Sequence, residues 1–247
     1  MKSPTIEHIS VVVPVHNESE NIEKLLLELS SIDLDGIPLD FVFVDDFSSD
    51  NTLEVLQRLR TSEPRLTVLA HETNAGQSAA IRTGVVHAAG NWIMTLDGDG
   101  QNDPADIPKF VRSAAELLPS ETPILVAGDR TRHRKDTLVK RISSKIANFI
   151  RNLILRDNCP DSGCGMKFFS RQSFLDLPHF DHMHRFLPSL FAQSGGKLIM
   201  VPTGHRQRNG GSSHYGTWGR LWAGIIDLMG VVWLRRRTIN VKVKKFD

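Results

Sequence analysis

The stretch Ile9-Ser-Val-Val-Val-Pro-Val15 is a β-branched run, and the polar residues His16-Asn-Glu18 follow it directly. Such runs favour strands, so we predict a strand over residues 9–15 that ends in a polar turn. Apolar side chains then recur at helical spacing over residues 20–29, which predicts a helix. A strand, a polar turn and a helix form the unit from which we predict the fold.

This strand–helix unit recurs along the chain. In the first half, further strands are predicted over residues 39–44, 66–70 and 92–96, and helices over 52–59 and 78–89. In the second half, strands are predicted over 123–127, 166–169 and 197–201, and helices over 138–155, 186–192 and 218–234. The alternation predicts an α/β fold, with a Rossmann-like, mostly parallel sheet and helices on both faces.

Length and composition fit one large domain with a C-terminal extension. The chain has 247 residues, of which 40% are hydrophobic and 23% charged, so it can bury a sizeable core. We predict a main domain over residues 1–216 and an amphipathic helix with a basic tail over residues 217–247. The two cysteines exclude a disulfide scaffold and fit a reducing compartment.

The net charge of +2 is distributed unevenly along the chain. Residues 1–110 hold 7 Lys or Arg and 18 Asp or Glu, whereas residues 111–247 hold 23 and 10. The acidic half fits a bound cation, and the basic half fits the phosphates of a ligand, a membrane or a nucleic acid.

The strongest candidate site is Asp97-Gly-Asp-Gly-Gln101, at the end of a predicted strand. Carboxylates at positions i and i+2 can point at one hard cation, and Gln101 adds a neutral oxygen, so the pattern fits Mg²⁺ or Mn²⁺. The alternative is a turn in which the carboxylates only accept hydrogen bonds from backbone amides. Asn17-Glu18 and Asp45-Asp46 end two other strands, and parallel sheets bind ligands at these strand ends.

Other polar residues leave two interpretations open. Asp45-Asp46 fits a ribose or base contact, or a cap on the next helix. Arg130, Arg208 and His214 lie in polar loops near glycines, where they fit phosphate recognition or a solvated surface. The chain has neither Gly-x-Gly-x-x-Gly after the first strand nor a Gly-Lys-Ser/Thr loop, which argues against ordinary dinucleotide oxidoreductases and P-loop kinases.

Seven motifs in combination resemble the family 2 glycosyltransferases with the GT-A fold, in particular the dolichol-phosphate mannosyltransferase branch and the bacterial polyprenyl-phosphate glycosyltransferases. The motifs are Val13-Pro-Val-His-Asn-Glu18, Val44-Asp-Asp-x-Ser-x-Asp50, Asn74-x-Gly76, Asp97-Gly-Asp-Gly-Gln101, Gly128-Asp-Arg130, Asp161-Ser-Gly163 and Arg208-x-x-Gly-x-Ser213. The resemblance runs from about residue 9 to residue 215.

The resemblance implies a nucleotide-sugar site built from the first two motifs. Pro14, His16 and Glu18 would hold the nucleotide, with His16 in a position where the family usually has Tyr. Val44 and Asp46 would lie near the base and the ribose.

The resemblance further implies a metal and diphosphate site at Asp97, Gly98, Asp99 and Gln101. Asp99 and Gln101 are the implied direct ligands of Mg²⁺ or Mn²⁺, so Asp99 is a ligand and not a nucleophile. Arg130 would face the sugar phosphate or the acceptor phosphate, and we take Asp97, Asp99 and Arg130 as the catalytic candidates.

Two more residues would close over the diphosphate, namely Arg208 and His214. The family usually has Lys where this chain has His214, which makes that contact sensitive to pH.

The implied reaction is an inverting, metal-dependent sugar transfer from GDP-mannose or a UDP-sugar to a polyprenyl (dolichol-type) phosphate. The acceptor phosphate is already an anion at neutral pH, so no strong general base is needed. The expected partners are the donor, the lipid acceptor and an anionic membrane surface, with no nucleic acid. The sequence leaves the oligomeric state open.

The C-terminal segment fits a helix that lies in a membrane interface. Its apolar run ends at Leu234 and is followed by Arg235-Arg-Arg237, with Trp218, Trp222 and Trp233 within the helix. The run is too short for a span, so we expect a cytoplasmic protein that is peripheral on the cytoplasmic face of the membrane. The alternative is a helix that packs on the protein's own core.

Two other functions remain open at this stage. A transferase that acts on a saccharide or lipid hydroxyl needs a base, and Asp161 lies where such relatives carry an acidic residue. A non-catalytic basic protein that binds membranes or nucleic acid fits the basic half, but it leaves the acidic cluster unexplained.

Overall fold

The computed structural model describes residues 5–118, 122–131, 151–155, 157–204, 206 and 217–237. The strands are Ile9–Val15 (β1), Leu39–Asp45 (β2), Leu66–Ala70 (β3), Trp92–Thr95 (β4), Ile124–Asp129 (β5), Lys167–Ser170 (β6) and Lys197–Pro202 (β7). They form one sheet in the order β3-β2-β1-β4-β6-β5-β7. All seven agree with the predicted strands within about two residues at each end.

The strand directions confirm a mostly parallel sheet. Strands β1 to β4 are mutually parallel, and β5 pairs parallel with β7. The exception is β6, which runs antiparallel between β4 and β5. The register aligns Val15 with Asp45, so the polar turns after β1 and β2 emerge side by side at one edge.

The helices flank the sheet. They are Ile22–Ser30 (α1), Thr52–Arg60 (α2), Gln77–His87 (α3), Ile107–Ala115 (α4), Arg171–Leu175 (α5), Leu187–Gln193 (α6) and Thr217–Arg237 (α7). Short 3₁₀ turns lie at Pro104–Asp106 and Met183–Arg185. Helices α4 and α5 and both 3₁₀ turns were not among the predicted elements. Of the helix predicted over 138–155, residues 151–155 are described and are helical.

Two apolar clusters fill the space on either side of the sheet. Every residue of β1 is buried, and its side chains alternate between the clusters, with Val11 and Val13 in one and Val12 in the other. In the first cluster Trp92 stacks on Phe168 across the β4–β6 pair, with ring centroids 4.9 Å apart. Because both faces of β1 are covered, its sequence reads as a continuous apolar run.

The cysteines are Cys159 and Cys164, and both are free and buried. Burial raises the pKa of the Cys159 thiol to about 11. Both cysteines therefore act as small core residues.

Helix α7 has two unlike faces over residues 224–237, where its side chains are described. Val231 is fully buried in the second cluster, and Leu228 and Val232 pack against that cluster. On the other side Met229 is 68% exposed and Trp233 59% exposed. The helix therefore packs on the core and also presents apolar side chains to the outside. The residues around the predicted domain boundary, 207–216, lie outside the described part.

No helix within the described ranges has both the length and the apolar content required for a membrane span.

Candidate functional site

A cleft with a volume of about 390 Å³ opens where β1, β2 and β4 end. Seven of the residues that line it were predicted from the sequence: Pro14, His16, Glu18, Asp46, Asp97, Gly98 and Asp99. Two more, Val15 and Gln77, were not predicted. The sheet thus brings together motifs that lie more than 80 residues apart in the chain, because parallel strands end at the same edge.

Backbone contacts join the turn after β1 to the turn after β2. The backbone N–H of Asn17 donates to Ser48 Oγ at 2.9 Å, and that of Glu18 donates to Thr52 Oγ1 at 2.9 Å. Asn17 has a left-handed φ of 57°, which turns its side-chain carbonyl toward the backbone N–H of Ser49 at 2.7 Å. These hydrogen bonds fix the shape of the cleft wall to which His16 and Glu18 belong.

His16 is held in one tautomer. Its Nδ1 lies 2.9 Å from the carbonyl oxygen of Asp46, and a carbonyl can only accept, so Nδ1 carries the proton. Its Nε2 then accepts from the side-chain amide of Asn17 at 3.3 Å. These contacts fix the orientation of the imidazole in the cleft wall.

The Asp46 carboxylate organises the loop before α3. It accepts hydrogen bonds from the backbone N–H groups of Ala75 and Gly76, both at 2.8 Å, and from His71 Nδ1 at 2.8 Å. Gly76 has a φ of 86°, a conformation that favours glycine. Asp46 thus acts on the cleft partly by fixing the loop that leads to Gln77.

The acidic motif after β4 forms a tight turn against β1. A Cβ on Gly98 would lie 2.6 Å from Val15 Cγ1 and 3.1 Å from the carbonyl oxygen of Pro14, so only glycine fits there. Asp97 receives a hydrogen bond from Gln77 Nε2 at 2.8 Å. One Asp99 carboxylate oxygen accepts the backbone N–H of Gln101 at 3.1 Å, which is the turn contact that the alternative interpretation predicts. Asp99 also lines the cleft.

The charge of Asp99 disfavours the charged form of Asp97. Burial, together with the nearby Asp99, raises the pKa of Asp97 to about 6, although Lys167 and Arg130 act in the opposite direction. A divalent cation would relieve the repulsion, and carboxylate and amide oxygens are the ligands that Mg²⁺ and Mn²⁺ prefer. The carboxylates of Asp97 and Asp99 therefore fit such a cation, and Gln101 follows them in the same turn. Within the described ranges no three His, Cys, Asp or Glu side chains converge as a ready metal site.

Arg130 lies behind the cleft and is paired. Its Nε and Nη2 donate to the two carboxylate oxygens of Asp161 at 2.8 and 3.1 Å, and its backbone N–H donates to the same carboxylate at 3.2 Å. Both side chains are buried. The sequence analysis placed Arg130 at a phosphate and kept Asp161 as a candidate base, whereas in the structure each is the other's partner.

Lys167 is a buried cation beside this pair that the sequence analysis did not identify. Its Nζ donates to the carbonyl oxygen of Cys164, and burial lowers the pKa of its ammonium group. The only signal in the sequence is a lysine in an otherwise apolar strand. Gln77 was detectable, since it follows Asn74-x-Gly76 and begins a helix at the ligand-binding edge of the sheet.

The remaining predicted residues are not in the cleft wall. The side chain of Val44 lies in the second core cluster, so only its backbone is available near a ligand. Gln101 contacts Asp99 through its backbone, and its carbonyl oxygen accepts from the N–H of Arg206 at 3.0 Å. Arg208 and His214 lie outside the described residues.

A mostly parallel sheet flanked by helices, with a cleft at its strand ends, defines the class of doubly wound α/β proteins, in which ligands bind at that edge. The sequence identifies the family within this class. Residues 10–177 match the model of glycosyl transferase family 2, so the chain belongs to that family.

Individual relatives agree with the family assignment. The chain is 30% identical over 214 residues to an undecaprenyl-phosphate 4-deoxy-4-formamido-L-arabinose transferase of Edwardsiella ictaluri, which covers 86% of this chain and 64% of that protein. It is 32% identical to a dodecaprenyl-phosphate galacturonate synthase of Rhizobium johnstonii, covering 92% of this chain and 67% of that one. The chain thus spans about two thirds of the length of these relatives.

A solved structure shares the fold. Glucosyl-3-phosphoglycerate synthase from Mycobacterium tuberculosis, in complex with Mn²⁺, UDP and glucosyl-3-phosphoglycerate, superposes with a TM-score of 0.61 at 19% identity. The match covers 93% of this chain and 80% of the other. This confirms the predicted GT-A type of α/β fold.

Proposed function

We propose that this chain transfers a sugar from a nucleoside-diphosphate donor to a polyprenyl phosphate. The observation that carries the proposal is the cleft in which the turns after β1, β2 and β4 meet, with Asp97 and Asp99 on its floor. The names of the relatives supply the acceptor class, since both act on polyprenyl phosphates.

The donor would lie with its nucleoside against His16 and Glu18 and its diphosphate toward Asp99. Asp99 and Gln101 would hold Mg²⁺ or Mn²⁺, in line with the Mn²⁺ and UDP of the M. tuberculosis protein. The cation offsets the negative charge of the departing nucleoside diphosphate. Gln77 keeps Asp97 oriented through the bond to its carboxylate. GDP and UDP donors are both compatible with this arrangement, and GDP-mannose is one candidate.

The acceptor is proposed to be a phosphate because both relatives act on polyprenyl phosphates and because Asp161, the candidate base for a hydroxyl acceptor, is bound to Arg130. An oxygen of the acceptor phosphate forms the new bond to the anomeric carbon while the bond from that carbon to the donor phosphate breaks, so the configuration inverts. The attacking oxygen is already anionic, and no proton has to be removed. A hydroxyl acceptor would need a base. Asp161, which lies where such relatives carry an acidic residue, is bound to Arg130 by two hydrogen bonds.

One surface of the protein combines exposed apolar side chains with basic ones, which would suit an enzyme that acts on a lipid acceptor. On the outer side of α7 and in the helical segment 151–155, exposed apolar side chains lie near a basic helix end: Leu153, Ile154, Ile225, Ile226, Met229 and Trp233. A groove of about 390 Å³ between the two segments is lined by both apolar and arginine side chains. Tryptophan and arginine beside aliphatic residues are typical of interfacial helices.

We propose that this surface docks on an anionic leaflet and that the protein is peripheral on the cytoplasmic face. Each Lys or Arg near an anionic surface contributes on the order of 1 kcal/mol, and the cytoplasmic leaflet carries the anionic lipids.

The proposal is tested by incubating the purified chain with Mn²⁺, a panel of UDP- and GDP-sugars, and a polyprenyl phosphate in vesicles. Mass spectrometry should find the lipid phosphate enlarged by one sugar in the presence of one donor. A non-catalytic binding protein would give neither this product nor metal-dependent hydrolysis of any donor, and that result would overturn the proposal.

A further inference from the structure

We infer that His182 and Asp227 are positioning residues that set the orientation of helix α7 relative to the donor cleft. The inference rests on the proposed function, because it concerns how a lipid acceptor held at the outer face of α7 meets the donor. Neither residue lines the cleft, so their effect on transfer would be indirect.

The contact between the two residues joins distant parts of the chain. His182 Nδ1 lies 2.8 Å from a carboxylate oxygen of Asp227, and the Asp227 side chain is 18% exposed. Asp227 is the sole acidic residue within Thr217–Arg237. It lies one turn before Val231, on the side of the helix that faces the protein.

The apolar packing of α7 does not require this carboxylate. Val231 is fully buried, and Leu228 and Val232 pack against the same core cluster. A partly buried carboxylate loses some of its hydration, and a polar pair in such a place adds little net stability compared with apolar residues of similar size. Such a pair can instead set how the turn at His182 and helix α7 are aligned, because its hydrogen bond forms in only one arrangement of the two.

His182 adopts a backbone conformation that non-glycine residues rarely use. Its φ is +60°, and it precedes the 3₁₀ turn Met183–Arg185. Strained conformations of this kind persist where the surrounding structure holds them, often at functional positions. Here the conformation allows one short turn to reach α7 on one side and the donor site on the other.

The other side of that turn contacts the start of α3. The backbone N–H of His184 donates to Ser78 Oγ at 3.2 Å, and Ser78 Oγ lies 2.7 Å from His184 Nδ1. Burial lowers the pKa of His184 well below its ordinary value, which favours the neutral imidazole in this contact. Ser78 directly follows Gln77, which lines the cleft and binds Asp97. A single rigid turn therefore connects the acceptor-side helix with the donor site.

The test compares Asp227→Asn and His182→Gln with the wild-type chain on two acceptors, a long polyprenyl phosphate in vesicles and a short, water-soluble prenyl phosphate. Asp176→Asn and His87→Gln are matched controls at exposed positions. Both test variants should lower kcat/KM for the vesicle acceptor by about tenfold or more, since small misplacements of bound reactants have effects of this size. The kcat/KM for the short acceptor, the affinity for nucleotide in the presence of Mn²⁺ and the affinity for vesicles should each change less than about twofold. The variant with both substitutions should lose no more activity than either single variant, because the two residues act through one contact.

Equal losses of kcat/KM on both acceptors would show a merely structural role and would overturn the inference. An unchanged kcat/KM on the vesicle acceptor would also overturn it. A second measurement is independent of activity. Spin labels at Val86→Cys on α3 and Met229→Cys on α7, both exposed positions, should give a narrow distance distribution that broadens with Asp227→Asn. If the wild-type chain transfers sugar to neither acceptor, the proposed function fails, and this distribution alone decides the inference. An unchanged distribution refutes it.

Discussion

The guanidinium of Arg130 forms two hydrogen bonds to the carboxylate of Asp161, at 2.8 and 3.1 Å, and both side chains are buried. The two residues are separated by 30 others in the sequence and hold the loop after β5 against the turn that precedes β6. The pair makes Asp161 a structural partner of a cation and leaves the cleft without a free carboxylate base from this turn.

Asp161→Asn should therefore reduce stability as well as activity. Breaking a buried ion pair on one side leaves an uncompensated charge, which costs roughly 3–5 kcal/mol. Urea denaturation should show this loss in the free energy of unfolding. Were Asp161 instead a general base, the variant would keep its stability and lose only kcat, and that pattern would favour a hydroxyl acceptor.

Asp99→Ala should abolish most activity while the fold remains intact, because Asp99 lies at the edge of the sheet and not in the core. Electrostatic contributions of this kind are typically worth about 10²-fold or more in rate. Mn²⁺ binding, followed by calorimetry in the presence of nucleoside diphosphate, should weaken in parallel. Retention of more than about a tenth of the wild-type rate would contradict metal-assisted departure of the nucleotide.

Gly165→Ala should disturb the donor site through Asp97. A Cβ at residue 165 would lie 2.2 Å from an Asp97 carboxylate oxygen, so that side chain would have to move. Gly163→Ala in the same turn is the matched control, since its Cβ would make ordinary contacts at 3.7 Å or more. Nucleoside-diphosphate affinity measured with Mn²⁺ should fall for the first variant and stay near wild type for the second. Equal affinities would show that the position of Asp97 does not matter for the donor.

The outer face of α7 should carry the membrane affinity. Replacing Ile226, Met229 and Trp233 together by Ser should weaken binding to anionic vesicles by about tenfold or more, because each buried large apolar side chain is worth roughly 1.5–3 kcal/mol. Leu27→Ser, at an equally exposed apolar position on α1, is the control. Wild-type binding should also weaken with added salt. Vesicle binding that is unchanged in the triple variant would refute docking through this face.

Removing residues 217–247 altogether would be a poor test of membrane docking. The truncation spares the catalytic domain only if the helix is not part of the core, and Val231 is fully buried in the second cluster. Substitutions on the outer face avoid this problem.

The sequence predicts the parts of this fold that depend on local pattern. Strand β1 is recognisable because both of its faces are buried, which makes it a continuous apolar run. Helix α4 was missed although its buried residues Ile107, Phe110, Val111 and Ala114 follow helical spacing, so its signal was present. The antiparallel direction of β6 depends on which strands become neighbours, and no local pattern encodes that.

The candidate site also contains residues that the local sequence pattern predicts and residues that it does not. The sequence identifies Asp97, Asp99 and His16 because each follows a strand at the ligand-binding edge. It does not reveal that Arg130 and Asp161 are paired, since each alone has the charge and the setting of a functional group. The buried Lys167 and the contact between His182 and Asp227 likewise depend on tertiary packing between distant segments.

The central claim is that the acceptor is a polyprenyl phosphate, and two acceptors that differ in one group test it most directly. The initial rate of sugar transfer should be measured with a polyprenyl phosphate and with the polyprenol of the same chain length, in the same vesicles, with the same donor and Mn²⁺. Transfer to the phosphate should be at least about 10²-fold faster, because the alcohol has to lose a proton during transfer whereas the phosphate oxygen is already anionic. Comparable rates on both lipids, or faster transfer to the alcohol, would contradict it.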